Sequence, residues 1–449
     1  MGNAAVWPIT AERAHDGSLW IGGVPVAELA RELGTPLYLY DVETIRRQCR
    51  LYVSTFSAAY PRSRVAYAGK AWLSTALLRV IEEEGLSLDV VSGGELAVAL
   101  ASGFPPRRMH FHGNNKAPDE LRQALGAGVG SIIIDNFDEI DLLAALTRER
   151  DGAADVMLRL NPGIDVHTHN YRKTGIPDSK FGLGIATGDA ARAVERILAV
   201  PGLRLRGYHA HIGSQIFEIE PFTETVDALF AFAAETRDRH GIIPDEISPG
   251  GGFGIPYEDA DLTTPIDSYA QDVAGATVAA ARRWDMPEPE LTVEPGRSIV
   301  GQAGVAVYTL GARKHIPGVR TYVSVDGGMA DNIRPALYGA RYTAELVRAP
   351  STGATSPVTI AGKYCESGDV LIDRVELPEH APGDLLAVPA TGAYCLAMAS
   401  NYNLSLRPAV AFVEGGSARL AQRRETVDDL LRREASEYSP LLFASIAQS

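Results

Sequence analysis

Short apolar runs alternate with segments of helical periodicity between residues 65 and 297. In the first such segment Leu73, Leu77 and Val80 recur at the spacing of a helix that buries one face. Strands that alternate with helices predict parallel βαβ units, and eight such units close a (β/α)8 TIM-type barrel. An open doubly wound sheet is the alternative, because strand number is hard to fix from a sequence. The eight runs are VAYAGK (65–70), LDVVS (88–92), MHFHG (109–113), SIIID (131–135), VMLRLN (156–161), LRGYHAHI (205–212), EISPGGG (246–252) and LTVEPGR (291–297).

The helical alternation stops after residue 297. The following runs are short, rich in β-formers and separated by Gly, Pro and Asp, which predicts a mostly antiparallel β domain. They include TYVSVDGG, PVTIAG, VLIDRVELP, DLLAVPA and AVAFVEGG. The strand-like stretch LWIGGVPV (19–26) is expected to join that domain. The sequence therefore predicts an N-terminal strand region over 1–37 that packs with the β domain, a barrel over 38–297, and a β-rich C-terminal domain over 298–449.

Composition narrows the class of protein. The 449 residues carry a formal net charge of -14, which argues against binding to nucleic acid or to anionic membranes. No apolar run approaches the roughly 20 residues of a membrane span, and the first residues lack the pattern of a signal peptide. The three cysteines, Cys49, Cys365 and Cys395, are too few for a disulfide framework. We expect a cytoplasmic protein.

Most of the eight runs end in polar residues or glycine. In a (β/α)8 barrel the carboxyl ends of the strands hold the active site, so these residues are expected to meet at one mouth. A lysine such as Lys70 could equally be a solvated residue at a strand end, but the repetition over eight strands favours a site. The residues are Lys70, Ser92, Asn114, Asp135, Asn161, His211, Gly250, Gly251, Gly252, Glu294 and Arg297.

Two histidines, His209 and His211, are two positions apart on one predicted strand and should face the same side. They could be hydrogen-bonded core residues or a pair of metal ligands. No third ligand has convincing spacing, and Cys365 and Cys395 form no CxxC motif, so no metal is expected. An imidazole beside a glycine, as in HIGSQ (211–215), would also suit stacking on an aromatic cofactor.

Three glycines, Gly250 to Gly252, end the seventh run, where backbone N–H groups can approach a phosphate. They could also form a simple flexible turn. Glu294 and Arg297 end the eighth run and could pair with each other. Together with Lys70 and a ring-stacking histidine, these residues match the needs of pyridoxal phosphate, which requires a lysine and a charged group at its pyridine nitrogen. A carboxylate there makes the ring a strong electron sink, which suits decarboxylation.

The segment NPGIDVHTHNYRKTGIPDSKFGLG (161–184) shows no clear periodicity. Connections of this length are uncommon unless they are functional or disordered. We interpret it as a lid or interface loop.

In its sequence motifs the chain resembles the diaminopimelate decarboxylases. These belong to the alanine racemase/ornithine decarboxylase-like (fold-type III) pyridoxal phosphate enzymes. The resemblance extends from LYLYD (37–41) to SNYN (400–403), and the order and number of its motifs make it specific. It implies a barrel followed by a β domain, pyridoxal 5'-phosphate as the cofactor, and a homodimer with active sites at the subunit interface. The motifs are YAGKA, DVVSGGEL, HFHGNNK, SKFG, HIGSQ, GGGFGIPY, EPGR, DGGMADNIRPALY, CESGDVL and GAY.

The same resemblance implies residue roles. Lys70 would form the Schiff base with the cofactor, His211 would stack on its ring and Glu294 would pair with its pyridine nitrogen. The phosphate would be held by Ser214, Gly250, Gly251, Gly252, Arg297 and Tyr394. The distal carboxylate of the substrate would be held by Arg297, Arg334 and Tyr338, with Tyr394 close by. From the partner subunit, Cys365 would reprotonate the carbanion and Glu366 would bind the distal amino group.

The implied reaction is the decarboxylation of meso-2,6-diaminopimelate at its D-centre to L-lysine and carbon dioxide, the last step of lysine biosynthesis. This substrate carries a second amino-acid head, so its site needs a guanidinium for the distal carboxylate and an acid for the distal ammonium. Arg334 and Glu366 supply these two charges. One alternative is a related decarboxylase of a specialised pathway that acts on ornithine, lysine or a carrier-bound amino acid. An amino-acid racemase is disfavoured, because racemases of this scaffold carry arginine in the place of Glu294.

Overall fold

The computed structural model describes residues 4–150, 152–164, 179–258, 261–348 and 354–434. Near the N-terminus, β1 (Glu12–Arg13), β2 (Leu19–Ile21) and β3 (Val24–Pro25) form a small antiparallel sheet, and α1 (Val26–Leu33) follows. Leu19 and Ile21 of β2 share an apolar cluster with Val305 and Val413 of the C-terminal region. The stretch 19–26 thus packs against the large C-terminal sheet, whereas the strand that enters this sheet is β4 (Leu37–Asp41).

Eight parallel strands close the predicted barrel. β13 pairs with β5 and β8 pairs with β9, so the sheet has no free edge and the open doubly wound alternative is excluded. The short β10 (Leu183–Gly184) adds to the carboxyl end of β9. The barrel strands are β5 (Ser63–Ala68), β6 (Ser87–Val90), β7 (Met109–Phe111), β8 (Ser131–Ile134), β9 (Ala154–Asn161), β11 (Leu203–His209), β12 (Glu246–Gly250) and β13 (Glu290–Val293).

Helices surround the barrel and bury one face each against the strands. α2, for example, buries Ile45, Tyr52 and Phe56, and the side chain of Asp41 caps its N-terminus by accepting from the Thr44 amide. Within the described residues, no helix has the length and apolar character needed to cross a bilayer. The helices are α2 (Val42–Ala59), α3 (Thr75–Glu83), α4 (Gly93–Ala101), α5 (Pro118–Ala127), α6 (Phe137–Arg150), α7 (Asp189–Leu198), α8 (Glu220–His240), α9 (Ile266–Arg283) and the short α10 (Arg297–Val300).

The C-terminal region forms a second sheet, as its β-rich runs predict. The strand order is β18-β17-β15-β14-β4-β20-β21, with β19 and β16 attached to β14, and most pairs are antiparallel. β4 lies between β14 and β20, so a strand that precedes the barrel completes this sheet. The elements are β14 (Gly304–Ile316), β15 (Arg320–Val325), α11 (Arg334–Tyr338), β16 (Glu345–Leu346), β17 (Ser356–Ala361), β18 (Val370–Leu377), β19 (Leu385–Val388), β20 (Ala409–Glu414), β21 (Ser417–Gln422) and α12 (Val427–Leu431).

A buried lysine fixes the loop after β7. The Lys116 ammonium donates to Glu139 Oε1 at 2.6 Å and to the carbonyl oxygens of Gly113 and Ile133, both at 2.7 Å. The side chains of Lys116 and Glu139 are 1% and 3% exposed, so neither charge is solvated. All three ammonium protons have partners, which ties the β7–α5 loop to the end of β8.

We expect Lys116→Met to destabilise the protein by about 3 kcal/mol, because it leaves the Glu139 carboxylate buried without a counter-charge. The shift in the urea midpoint of unfolding measures this loss. The double variant Lys116→Met/Glu139→Leu removes both charges and should recover most of it. Equal losses in the single and double variants would show that the unpaired charge is not the cause.

Candidate active site

The carboxyl ends of the barrel strands open into a cavity of about 490 Å³. Most of the site residues predicted from sequence line this cavity. Gly252 is part of the lining, and Gly250 and Gly251 directly precede it in the chain. Cys365 and Glu366 do not line the cavity. Ser92, Asp135 and Asn161, also expected at the mouth, are not part of the lining. The predicted residues in the lining are Lys70, Asn114, His209, His211, Ser214, Gly252, Glu294, Arg297, Arg334, Tyr338 and Tyr394.

Lys70 lies in a single 3-10 turn, Gly69–Ala71, directly after β5. The strand ends at Ala68, two residues earlier than the apolar run suggested. A side chain at Gly69 would clash, since a Cβ there would lie 2.8 Å from the Asp89 carbonyl oxygen. The tight turn therefore directs the exposed Lys70 into the cavity, where its ammonium forms no ion pair with a described residue.

Glu294 follows β13 by one residue and is 8% exposed. Its Oε1 accepts a hydrogen bond from Ser248 Oγ at 2.7 Å, and its Oε2 lies 3.1 Å from His209 Nε2. Burial by itself raises the pKa of Glu294, but the contacts with His209 and Ser248 outweigh it and hold the pKa well below its ordinary value. An ionised carboxylate is thus fixed in the cavity wall.

The two histidines have different environments. His209 ends β11, and burial lowers its pKa, so a neutral ring donates its Nε2–H to Glu294. His211 lies two residues beyond the strand and accepts from the Gly251 amide through Nδ1 at 3.3 Å. Burial and the nearby cations Lys70 and Arg159 place the pKa of His211 well below its ordinary value. His211 therefore presents a neutral, flat ring to the cavity.

Polar donors converge at the end of the cavity formed by the loops after β11, β12 and β13. Arg297 donates through Nη2 to Ser214 Oγ at 2.9 Å and through Nη1 to the Tyr257 hydroxyl, while its buried Nε has no hydrogen-bond partner in the described part of the chain. Gly250 and Gly252 have φ values of 81° and 119°, which favour glycine. These donors fit the phosphate of a cofactor that also offers a ring to His211 and a nitrogen to Glu294.

Arg334, the first residue of α11, is 2% exposed and lines the same cavity. Its guanidinium lies 4.7 Å from the centre of the Tyr257 ring and donates to the Tyr342 hydroxyl. No carboxylate of the described residues pairs with it, so this cation is available to an anionic ligand. Tyr394, with φ at 62°, places its ring 4.8 Å from the Arg297 guanidinium.

Several lining residues escaped the sequence analysis, although polar residues inside buried runs are a usable signal. Asp89 lies inside the run LDVVS, His112 inside MHFHG and Arg159 inside VMLRLN. Arg159 Nη1 lies 3.5 Å from Asp135 Oδ2 and stacks over the Phe181 ring at 4.5 Å. Each lies at a position that the alternation of a barrel strand points inwards.

A group of possible metal ligands lies in the barrel and does not include His209 or His211. Within the described ranges, ligand atoms of Asp89, His110, His112 and Glu294 lie within 4.8 Å of one another. Sequence spacing could not reveal this cluster, because three different strands supply it. Glu294 is already bonded to Ser248 and His209, so the hydrogen-bonding network accounts for its position.

Cys365 and Glu366 lie in the exposed loop between β17 and β18. The Cys365 amide donates to Asn403 Oδ1 at 3.1 Å, and its thiol is free. Most of the predicted lid, residues 165–178, lies outside the described residues.

Comparison with known proteins shows the family to which the chain is related. A family model described as "Pyridoxal-dependent decarboxylase, pyridoxal binding domain" matches residues 42–301. The diaminopimelate decarboxylase of Bacillus subtilis is 48% identical over 94% of this chain and 96% of that protein. The diaminopimelate decarboxylase of Mycobacterium bovis is 43% identical over 96% of this chain and 97% of that protein.

A solved structure gives the same result. The diaminopimelate decarboxylase of M. jannaschii in co-complex with L-lysine superposes with a TM-score of 0.87 at 34% identity, covering 96% of this chain and 98% of that one. The family model covers the barrel, and the relatives cover both the barrel and the β sheet. The chain belongs to the diaminopimelate decarboxylase family of pyridoxal-phosphate-dependent enzymes.

Proposed function

We propose that the chain decarboxylates meso-2,6-diaminopimelate to L-lysine and carbon dioxide, with the residues of the barrel cavity in the roles given below. The observation that carries the proposal is that one cavity brings together Lys70, Glu294 and Arg334. These are an amine that can attach a carbonyl cofactor, an anion for a pyridine nitrogen, and a buried cation for a second carboxylate.

Pyridoxal phosphate, when bound, supplies an electron sink for the bond that breaks at the α-carbon. Lys70 would attach the cofactor, and the ring of His211 would hold it by stacking. Ionised Glu294, fixed by Ser248 and His209, would keep a proton on the pyridine nitrogen. The phosphate would be bound by Ser214, Gly250, Gly251, Gly252, Arg297 and Tyr394.

The substrate would be oriented by its distal end. Arg334 is a guanidinium with two parallel N–H donors and can bind the distal carboxylate in a bidentate manner. Tyr338, on the same helix, lines the cavity and would add a hydroxyl contact, with Arg297 and Tyr394 close by. Fixing both ends of the substrate would align the α-carboxylate for loss.

The proton that replaces the lost carboxylate would come from a second subunit. In one chain the loop with Cys365 and Glu366 is exposed and does not line the cavity. We infer a homodimer in which Cys365 of the partner subunit delivers the proton and the partner subunit's Glu366 binds the distal ammonium.

Mixing two inactive variants tests this arrangement. Lys70→Ala and Cys365→Ala homodimers, each with little activity, should regain about a quarter of wild-type activity after subunit exchange. Half of the dimers are then mixed, and each mixed dimer holds one complete site. Steady-state rates before and after exchange measure this. No recovery, with exchange verified by mass spectrometry, would contradict a shared site.

A substrate panel tests the reaction itself. We expect carbon dioxide and L-lysine from meso-diaminopimelate, with kcat/KM about 10⁴-fold above that for L-ornithine or L-lysine, because those substrates leave Arg334 unpaired. Product detection by chromatography and carbon dioxide capture measures it. Turnover of only ornithine, lysine or a carrier-bound amino acid would overturn the substrate assignment. Retention of the carboxylate with deuterium exchange at the α-carbon would instead indicate a racemase.

A further inference from the structure

A second cavity, of about 280 Å³, lies at the opposite end of the barrel from Lys70. Apart from Arg206, in the middle of β11, its lining comes from the first two residues of the strands or the residues just before them. The catalytic cavity, in contrast, is lined from the carboxyl ends. Water can reach it from the amino-terminal side of the barrel. The lining residues used below are Arg62, Arg64, Arg107, His110, Ser131, Asp155, Arg206, Asp245, Glu246 and Glu290.

The carboxylates of this cavity already have cationic or hydroxyl partners. Glu246 Oε1 accepts from Thr292 Oγ1 at 2.5 Å and lies 3.5 Å from His110 Nε2. The remaining acids form ion pairs with arginines, so little negative charge is left to repel an anion. These pairs are Glu290 with Arg64 at 2.7 Å, Asp245 with Arg206 at 3.0 Å, and Asp155 with Arg204 at 2.6 Å.

Three donors in the same cavity have no hydrogen-bond or ion-pair partner among the described residues. Arg62 and Arg107 are exposed, and neither forms an ion pair within the described ranges of the chain. Ser131 is 3% exposed, and its buried hydroxyl has no hydrogen-bond partner among the described residues. A buried polar group without a partner costs about 1–3 kcal/mol, so an acceptor at this position would be stabilising.

His110 forms the inner wall of this cavity and separates it from the catalytic one. Its ring is 3% exposed and lies between two carboxylates, with Nδ1 3.6 Å from Asp89 Oδ1 and Nε2 3.5 Å from Glu246 Oε1. Burial lowers the pKa of His110, but these two acids outweigh it and raise the pKa to about 9. The protonated ring thus offsets part of the negative charge of Asp89 and Glu246 at the inner wall.

We propose that this cavity is a binding site for a small oxyanion, held by the guanidinium groups of Arg62 and Arg107 and by the hydroxyl of Ser131. Guanidinium binds phosphate and carboxylate through paired N–H donors, and the hydroxyl supplies a third bond. The ligand is a phosphate or a small dicarboxylate that enters from the amino-terminal side. The site is independent of the reaction proposed above, since its residues do not line the catalytic cavity.

Phosphate titration of the holoenzyme at low ionic strength tests the site. Inorganic phosphate gives a ³¹P resonance distinct from that of the bound cofactor, so one spectrum reports both binding and cofactor occupancy. With partly exposed cations we expect a dissociation constant on the order of 1 mM. The variant Arg62→Gln/Arg107→Gln should weaken binding at least about tenfold, and Ser131→Ala should weaken it less. Turnover and cofactor occupancy should stay unchanged.

A matched control separates this site from general electrostatics. Arg313→Gln/Arg419→Gln removes the same charge from exposed positions of the C-terminal sheet and should leave the affinity unchanged. A parallel titration with succinate identifies the ligand: tighter phosphate binding indicates a phosphate, tighter succinate binding a dicarboxylate, and either supports an oxyanion site. The proposal would be overturned if neither anion bound saturably to the wild-type protein. Equal losses of affinity in the two double variants would also overturn it.

Discussion

Replacing Lys70 by alanine is expected to lower kcat/KM by about 10⁴-fold or more, because the variant loses the amine that attaches the cofactor. The bound-cofactor absorbance near ~420 nm should disappear with it. Folding should be unaffected, since Lys70 is exposed to the cavity and forms no ion pair with a described residue. Absorbance spectroscopy, steady-state kinetics and thermal unfolding measure the three outcomes.

Lys314→Ala is the matched control, because Lys314 is an exposed lysine of the C-terminal sheet. It should keep both activity and absorbance. Reduction of wild-type enzyme with borohydride, followed by peptide mass mapping, should place the cofactor on Lys70. Survival of the absorbance band and of turnover in Lys70→Ala would show that another residue attaches the cofactor.

Arg334→Gln is expected to lower kcat/KM for meso-diaminopimelate by about 10²–10³-fold. The distal carboxylate would enter a buried site without its counter-charge, and removing one member of such a pair costs several kcal/mol. Arg334→Lys keeps the charge but loses the paired donors, so a smaller loss of roughly tenfold is expected. The loss should fall on both KM and kcat, since Arg334 would bind the distal end of the substrate and thereby help to align the breaking bond.

The diagnostic measurement is the ratio of kcat/KM for meso-diaminopimelate to kcat/KM for D-lysine. D-Lysine has the reacting centre and the distal amine but lacks the distal carboxylate, so the preference for meso-diaminopimelate over D-lysine should collapse in Arg334→Gln. Arg341→Gln, which breaks only a surface pair with Glu258, serves as the control. An unchanged preference in Arg334→Gln would contradict the role of Arg334, whatever the loss in overall rate.

The barrel is predictable from the sequence because its strands are buried on both faces. Such strands form continuous apolar runs bounded by polar ends, and all eight runs correspond to barrel strands. The ends of the strands do not coincide with the ends of the runs, since an apolar run can continue past the last hydrogen bond of a strand. Lys70 shows this, because its 3-10 turn follows the strand but continues the sequence pattern.

Pairing between distant segments was harder to predict. β4, with LYLYD, and β2, with LWI, are both apolar and short, and nothing local indicates which of them enters the C-terminal sheet. The structure selects β4, whose five residues are all buried. β4 enters the sheet because it pairs with β14 and β20. Both partners follow the barrel in the sequence, so no local pattern reveals this pairing.

Within the site, the sequence indicated which residues carry reactive groups but not which side chains contact one another. Lys70 and Glu294 carry reactive groups and stood out at strand ends. His209 was recognised only as a companion of His211, and its bond to Glu294 required the pairing of β11 with β12 and β12 with β13. Ser248 carries no signal of its own in the sequence, yet it donates to the same carboxylate.

The position of β4 has a consequence during synthesis on the ribosome. Tyr40 pairs with Gly304, and Leu37 pairs with Ala409, so β4 emerges long before either neighbour exists. At a translation rate of ~5–20 residues per second, this apolar strand waits roughly 10–50 s for its first partner. An unpaired, apolar edge invites association with other nascent chains. A fragment that ends with the barrel would keep this exposed edge permanently. Truncation of the gene at that boundary should therefore yield insoluble protein. Removing the first 41 codons as well should increase the soluble fraction.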